Sequence, residues 1–266
     1  MDFGVPIGLS QSNLLLRWRL AIVGALVALA LLAWWWTAAR MAGMDAGPGT
    51  DPGALGFFVS AWVVMTAAMM FPSIAPMVLA YAGMQRGRRA STPLFVAGYV
   101  VLWGAAGLVA YAALKLGREL DGGLFAWHRA GRATAAGVLA AAAIYEFTPL
   151  KYACLRRCRA PVGFLVTEWR DGRTGALRMG LVHGAWCLGC CWALMAALFA
   201  LGAMSVPWMI VIAALIAVEK LLPWRQVGTV AVATVLAVLA IGVGAAPARV
   251  PGLTVPSHTQ TMEMMP

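Results

Sequence analysis

The chain is 266 residues long, 62% hydrophobic and only 11% charged, with a formal net charge of +10. Its mean hydropathy is +0.81, whereas an ordinary soluble domain is about half apolar and about a quarter charged. This balance excludes a soluble globular protein. The excess of lysine and arginine reads as anchoring of membrane spans rather than as a nucleic-acid surface, so no nucleic-acid partner is expected.

Several stretches exceed the roughly 18 apolar residues that mark a spanning helix. The predicted fold is therefore all-α, a polytopic transmembrane helical bundle of about seven spans surrounded by lipid. A cytoplasmic segment, 1–19, carries Arg17 and Arg19. The first span, Leu20–Ala39, is too long for a signal-peptide core and is read as retained; it ends in Trp34-Trp35-Trp36, residues suited to a membrane interface. The second, about Gly56–Met84, contains Pro72 and Pro76, which are expected to kink or split it. The third runs from about Leu94 to Leu114. The fourth, about Ala133–Thr148, is short and alanine-rich, and the count falls to six if it is re-entrant.

The fifth span, about Met179–Met204, carries three cysteines; the sixth, about Val206–Leu222, and the seventh, about Val227–Ala246, complete the transmembrane domain at 20–246. The remainder, 247–266, reads as an extended tail ending in a methionine-rich stretch, with His258 and Met262 to Met265 as candidate copper-capture groups or a disordered end. A cytoplasmic N-terminus and an outside C-terminus place most of the basic loop residues inside, among them Arg86, Lys151, Arg156, Arg157, Arg159 and Arg178. The expected location is a bacterial inner membrane.

The chemistry concentrates in the fifth span, in the run from His183 through Cys187, Cys190 and Cys191 to Met195. On a helix, with His183 at zero, Cys187 falls at about 40°, Cys190 at about 340° and Cys191 at about 80°, while Trp192 points away. Gly180, Gly184 and Gly189 thin the same helix and let neighbours approach. Soft thiolates assisted by imidazole or thioether select Cu(I), zinc or iron–sulfur centres over magnesium or calcium. Thiols on one helix cannot complete a coordination sphere, so a second element must contribute. One source is Cys154 and Cys158, an i, i+4 pair. The other is the second span, where Met65 and Met69 share a face and Met70 follows. Each group has a structural alternative, because cysteine and methionine are also ordinary packing residues. Glu146 and the pair Glu219-Lys220 stand near span ends and read either as interfacial, water-reaching groups or as a paired intramembrane site.

Three blocks carry a resemblance: Ala67-Ala68-Met69-Met70-Phe71-Pro72; Tyr145 with Pro149-Leu150-Lys151, Cys154, Cys158, Arg159 and Pro161; and His183-Gly184 with Cys187-Leu188-Gly189-Cys190-Cys191-Trp192, Leu194 and Met195. Between about Trp62 and Pro223 the chain resembles a bacterial family of predicted metal-binding integral membrane proteins. The resemblance implies Cys154, Cys158, Cys187, Cys190 and Cys191 as ligands, with Met69, Met70 and His183 close by.

The leading expectation is a membrane protein that binds a soft metal, Cu(I) first and zinc second, for delivery, insertion or transport. A copper chaperone or a metalloenzyme under assembly would be its partner. The alternatives are a membrane thiol–disulfide oxidoreductase and a non-catalytic assembly factor. There is no P-loop, no phosphorylated-aspartate motif and no nucleophile elbow, and an enzymatic role is not the leading expectation. Shared metal binding requires sulfurs from the two cysteine groups to stand about 3–4 Å apart.

Overall fold

A computed structural model of the chain describes residues 9–41, 53–85, 91–121, 130–202 and 205–253. The methionine-rich tail from 254 onward, with His258 and Met262 to Met265, lies outside the described residues, as does Met204. All described regular structure is helical: α1 (Leu9–Met41), α2 (Leu55–Met84), α3 (Ser91–Asp121), α4 (Arg132–Tyr145), α5 (Pro149–Arg159), α6 (Pro161–Glu168), α7 (Gly172–Leu201), α8 (Val206–Leu221) and α9 (Arg225–Ala245). A short 3₁₀ turn, Pro247–Arg249, follows.

Five of these helices (α1, α2, α3, α7 and α9) are long and apolar enough to cross a membrane, and α4 with α5 makes a sixth if the bent pair is one span. The expected sixth span corresponds to α8, whose 16 residues reach roughly 24 Å, short of a hydrocarbon core about 30 Å thick. The first helix starts at Leu9 rather than at the expected Leu20. The second is not split at Pro72 and Pro76 and runs through both as one helix.

The break between α4 and α5 has a local cause. A proline at 149 disfavours helical backbone at Thr148, and Thr148 is extended, with φ −75° and ψ 147°. Its hydroxyl donates to the Tyr145 carbonyl at 2.8 Å and accepts the Lys151 amide at 3.3 Å, ending one helix and capping the next. The two axes meet at 66°. Pro161 likewise opens α6, an eight-residue helix that seats Phe164 and Leu165 in the core.

The centre of the bundle is α7, the most deeply buried of the five long apolar helices, and α1 is the least buried. Helix α3 lies along one side of α7, and α4 and α5 along another. Helix α2 packs on α1 and α3, α9 packs on α4, and α8 touches α2 and α7. The contact of α3 with α7 is backbone against backbone. A methyl group on Gly98 would run into the Leu177 carbonyl, one on Gly180 into the Phe95 carbonyl, and one on Gly184 would lie 2.9 Å from Leu102 Cδ2. Two of the three glycines singled out in the fifth span therefore set this crossing.

Candidate metal centre

The α3–α7 approach and the α4–α5 bend determine which side chains meet around the middle of α7. Cys187, Cys190 and Cys191 are all buried, and their sulfurs lie within 4.8 Å of one another. The Cys190 and Cys191 thiols donate to the Cys187 carbonyl at 3.1 and 2.9 Å, which keeps both turned along the helix toward Cys187. As the 100° step predicts, Trp192 faces outward and meets Tyr145 edge-on at 5.0 Å.

The second cysteine pair reaches the same place. Helix α5 lies against α7, and Cys190 Sγ stands 3.7 Å from Cys158 Sγ. Cys154 is buried against Gly189, where a β-carbon would sit only 2.6 Å from its sulfur. Gly189 is therefore the gap into which Cys154 fits. Tyr145 ties the same turn down by donating to the Gly189 carbonyl at 2.6 Å. Substituting Gly189→Ala is expected to push α5 away from α7 and separate Cys158 from Cys190. Loss of Cys158–Cys190 cross-linking by a short bis-thiol reagent checks this, with the wild type as reference.

On the opposite side, Tyr99 of α3 brings its hydroxyl to 3.1 Å from Cys187 Sγ. Lys220 of α8 donates to the same sulfur at 3.0 Å, and also contacts Ser73 Oγ at 3.3 Å and Met70 Sδ at 3.8 Å. Met70 is fully buried, and among the predicted thioethers it is the one that reaches Lys220, the lysine bonded to Cys187. Met65 and Met69 are buried in α2 on a face about 100° away, and no described contact brings them to the thiols. His183 lies one turn before Cys187 but outside the tight group of three thiols. Its ring is enclosed by Phe95, Tyr99 and Phe164 at centroid distances of 6.0, 6.0 and 5.3 Å, and its Nδ1 has no hydrogen-bond partner.

Sequence reasoning missed Lys220, Ser73 and Tyr99. Lys220 carried a signal, a lysine inside an apolar helix, but it was attributed to an interface. Tyr99 and Ser73 carried none, because an aromatic or a serine in an apolar span is commonplace. Of the two readings of Glu146 and Glu219, the water-reaching one is corrected and the paired one holds: each is 3% exposed. The α4–α5 bend turns Glu146 inward, and α8 presents Glu219 to α5, where Lys151 bridges the two. Along α8, consecutive side chains thus serve different neighbours, Glu219 the α5 lysine and Lys220 the α7 thiol.

Four thiols from two helices, with a thioether and an ammonium beside them, define a helical protein of the metal-binding class. Soft sulfur donors in a dry setting suit Cu(I) or zinc and do not suit magnesium or calcium. The profile of the copper chaperone family PpoB2 matches residues 59–243, and the chain belongs to that family. The match spans α2 to α9 and so contains every group described above. No curated protein and no solved structure matches the chain. Family and thiol cluster together support the handling of copper or a related metal.

Proposed function

We propose that this protein is a copper chaperone of the bacterial inner membrane that holds Cu(I) within its helical bundle and passes it to a metalloenzyme under assembly. Cys187, Cys190 and Cys191 are the resident ligands. Cys158, the one thiol of these four that is not fully buried, is the exchange ligand through which the ion enters and leaves. The observation that carries this reading is the 3.7 Å separation of Cys158 and Cys190 sulfurs across α5 and α7, since two sulfurs bound to one ion at about 2.3 Å each in a tetrahedral or trigonal site stand roughly 3.8–4.0 Å apart. Cys154, Met70 and His183 form the surrounding soft shell, and zinc is the competing cargo. The ion travels as Cu(I), because Cu(II) would oxidise neighbouring thiols. Five or six apolar helices support membrane residence, and the basic residues from Arg156 to Arg178 support a cytoplasmic face on that side.

The test is elemental analysis of full-length protein purified anaerobically in detergent after exposure to Cu(I) or zinc, beside a variant with Cys187, Cys190 and Cys191 changed to serine. Stoichiometric copper in the wild type and none in the variant is the expected result. Reduced wild-type thiols without bound copper would overturn the proposal, and zinc retained in preference to copper would overturn the metal assignment. A Cys158→Ser variant should still bind Cu(I) but release it more slowly to a soluble acceptor, as stopped-flow transfer to a chromophoric chelator would record.

A further inference from the structure

The polar cluster beside the thiols has an internal imbalance. Lys151 of α5 bonds to Glu146 from the α4–α5 break and, at 2.8 Å, to Glu219 of α8. One ammonium therefore faces two carboxyls, all three buried. Glu146 and Glu219 are the only buried carboxyls among the described residues. Both carboxyls sit on the same Lys151 ammonium, yet Glu146 Oε2 and Glu219 Oε1 have no hydrogen-bond partner. Two ionised carboxylates offer only acceptors, so neither can satisfy the other. Buried together, they also repel each other.

A proton on one carboxyl removes both difficulties. It converts an acceptor oxygen into a donor aimed at the other carboxyl, and it brings the three-residue cluster to zero net charge. The charged groups facing Glu146 are Lys151 and Glu219, and those facing Lys151 are the two glutamates. The remaining titratable group nearby is Tyr145, whose hydroxyl is already committed to the Gly189 carbonyl. A neighbouring ammonium disfavours a metal ion here, and two carboxyls gathered on one buried ammonium, each with an unpartnered oxygen, suit a proton.

We propose that Glu146, Lys151 and Glu219 form a proton-binding site in which the two carboxyls share a single exchangeable proton, clasping the α4–α5 bend to α8. The site is chemically separate from the thiol cluster, and its occupancy does not depend on copper. Its proton strengthens the contact between α5, which carries Cys154 and Cys158, and α8, which carries Lys220.

Infrared difference spectroscopy on the full-length protein tests this directly. The carbonyl stretch of a protonated carboxylic acid is resolved from carboxylate bands and moves on transfer to D₂O. At neutral pH the wild type should show one such band, shifting in D₂O. Glu146→Gln and Glu219→Gln should each abolish it, because the remaining carboxylate then pairs with Lys151 alone. Lys151→Met should intensify it, because both carboxyls then take protons. A wild-type spectrum with no acid carbonyl band overturns the proposal without recourse to any variant, and so does a band that survives both glutamine substitutions unchanged.

Discussion

Replacing Lys220 with methionine will weaken Cu(I) binding roughly 10- to 100-fold, the range typical of groups that support a metal site without ligating it. Lys220→Arg, which keeps the charge, will recover part of the loss. The reason lies in charge balance. Three thiolates and one Cu(I) carry a net charge of −2, and burying uncompensated charge is strongly unfavourable. Lys220 offsets one of these charges from 3.0 Å away, at Cys187 Sγ. Ser73 and Met70 hold the ammonium in place from α2. The one acidic neighbour in sequence, Glu219, is turned to Lys151 and is not available to it. Competition against a chromophoric Cu(I) chelator measures the effect. Equal affinities for wild type and Lys220→Met would reject the counter-charge role, and an equal loss in Lys220→Arg would reduce Lys220 to a packing group.

The helical class and the thiol face were legible in the sequence for the same reason: both depend on local spacing. Apolar runs longer than 18 residues fix long helices, and the 100° step places Cys187, Cys190 and Cys191 on one side with Trp192 opposite. What spacing cannot supply is which distant helix meets that face. Cys158 was a candidate because of its chemistry, but its approach to Cys190 depends on the 66° bend at Thr148-Pro149, a tertiary consequence of one proline and one capping hydroxyl. Met70 rather than Met69 reaches Lys220 because the rotation of α2 about its axis is set by its packing on α1 and α3. Lys220 and Glu219 were visible as charges in an apolar run. Their partners come from α7 and α5, remote in sequence, and position near the end of a span favoured the wrong reading.

The glycine contact between α3 and α7 is the structural condition for the site, and its disruption should have the largest effect on stability. A Gly180→Ala substitution places a methyl group on the Phe95 carbonyl and within 3.1 Å of the Tyr99 amide nitrogen. Both neighbours are helix backbone, so no rotamer change can relieve the clash and the helices must move apart. Overpacking of this kind typically costs about 1–3 kcal/mol and occasionally more, and a clash with helix backbone belongs at the upper end. Separation of α3 from α7 also withdraws Tyr99 from Cys187, a contact now at 3.1 Å, and opens the aromatic wall around His183. Gly117, by contrast, has open space around it, and Gly117→Ala in α3 will be neutral or slightly stabilising because alanine favours helix. Thermal unfolding in detergent, followed by circular dichroism, distinguishes the two. The Gly180 variant should melt well below the wild type, and any folded fraction should bind Cu(I) more weakly. Unchanged melting in Gly180→Ala would mean that α3 and α7 are not in backbone contact, and the placement of Tyr99 against the thiol cluster would fall with it.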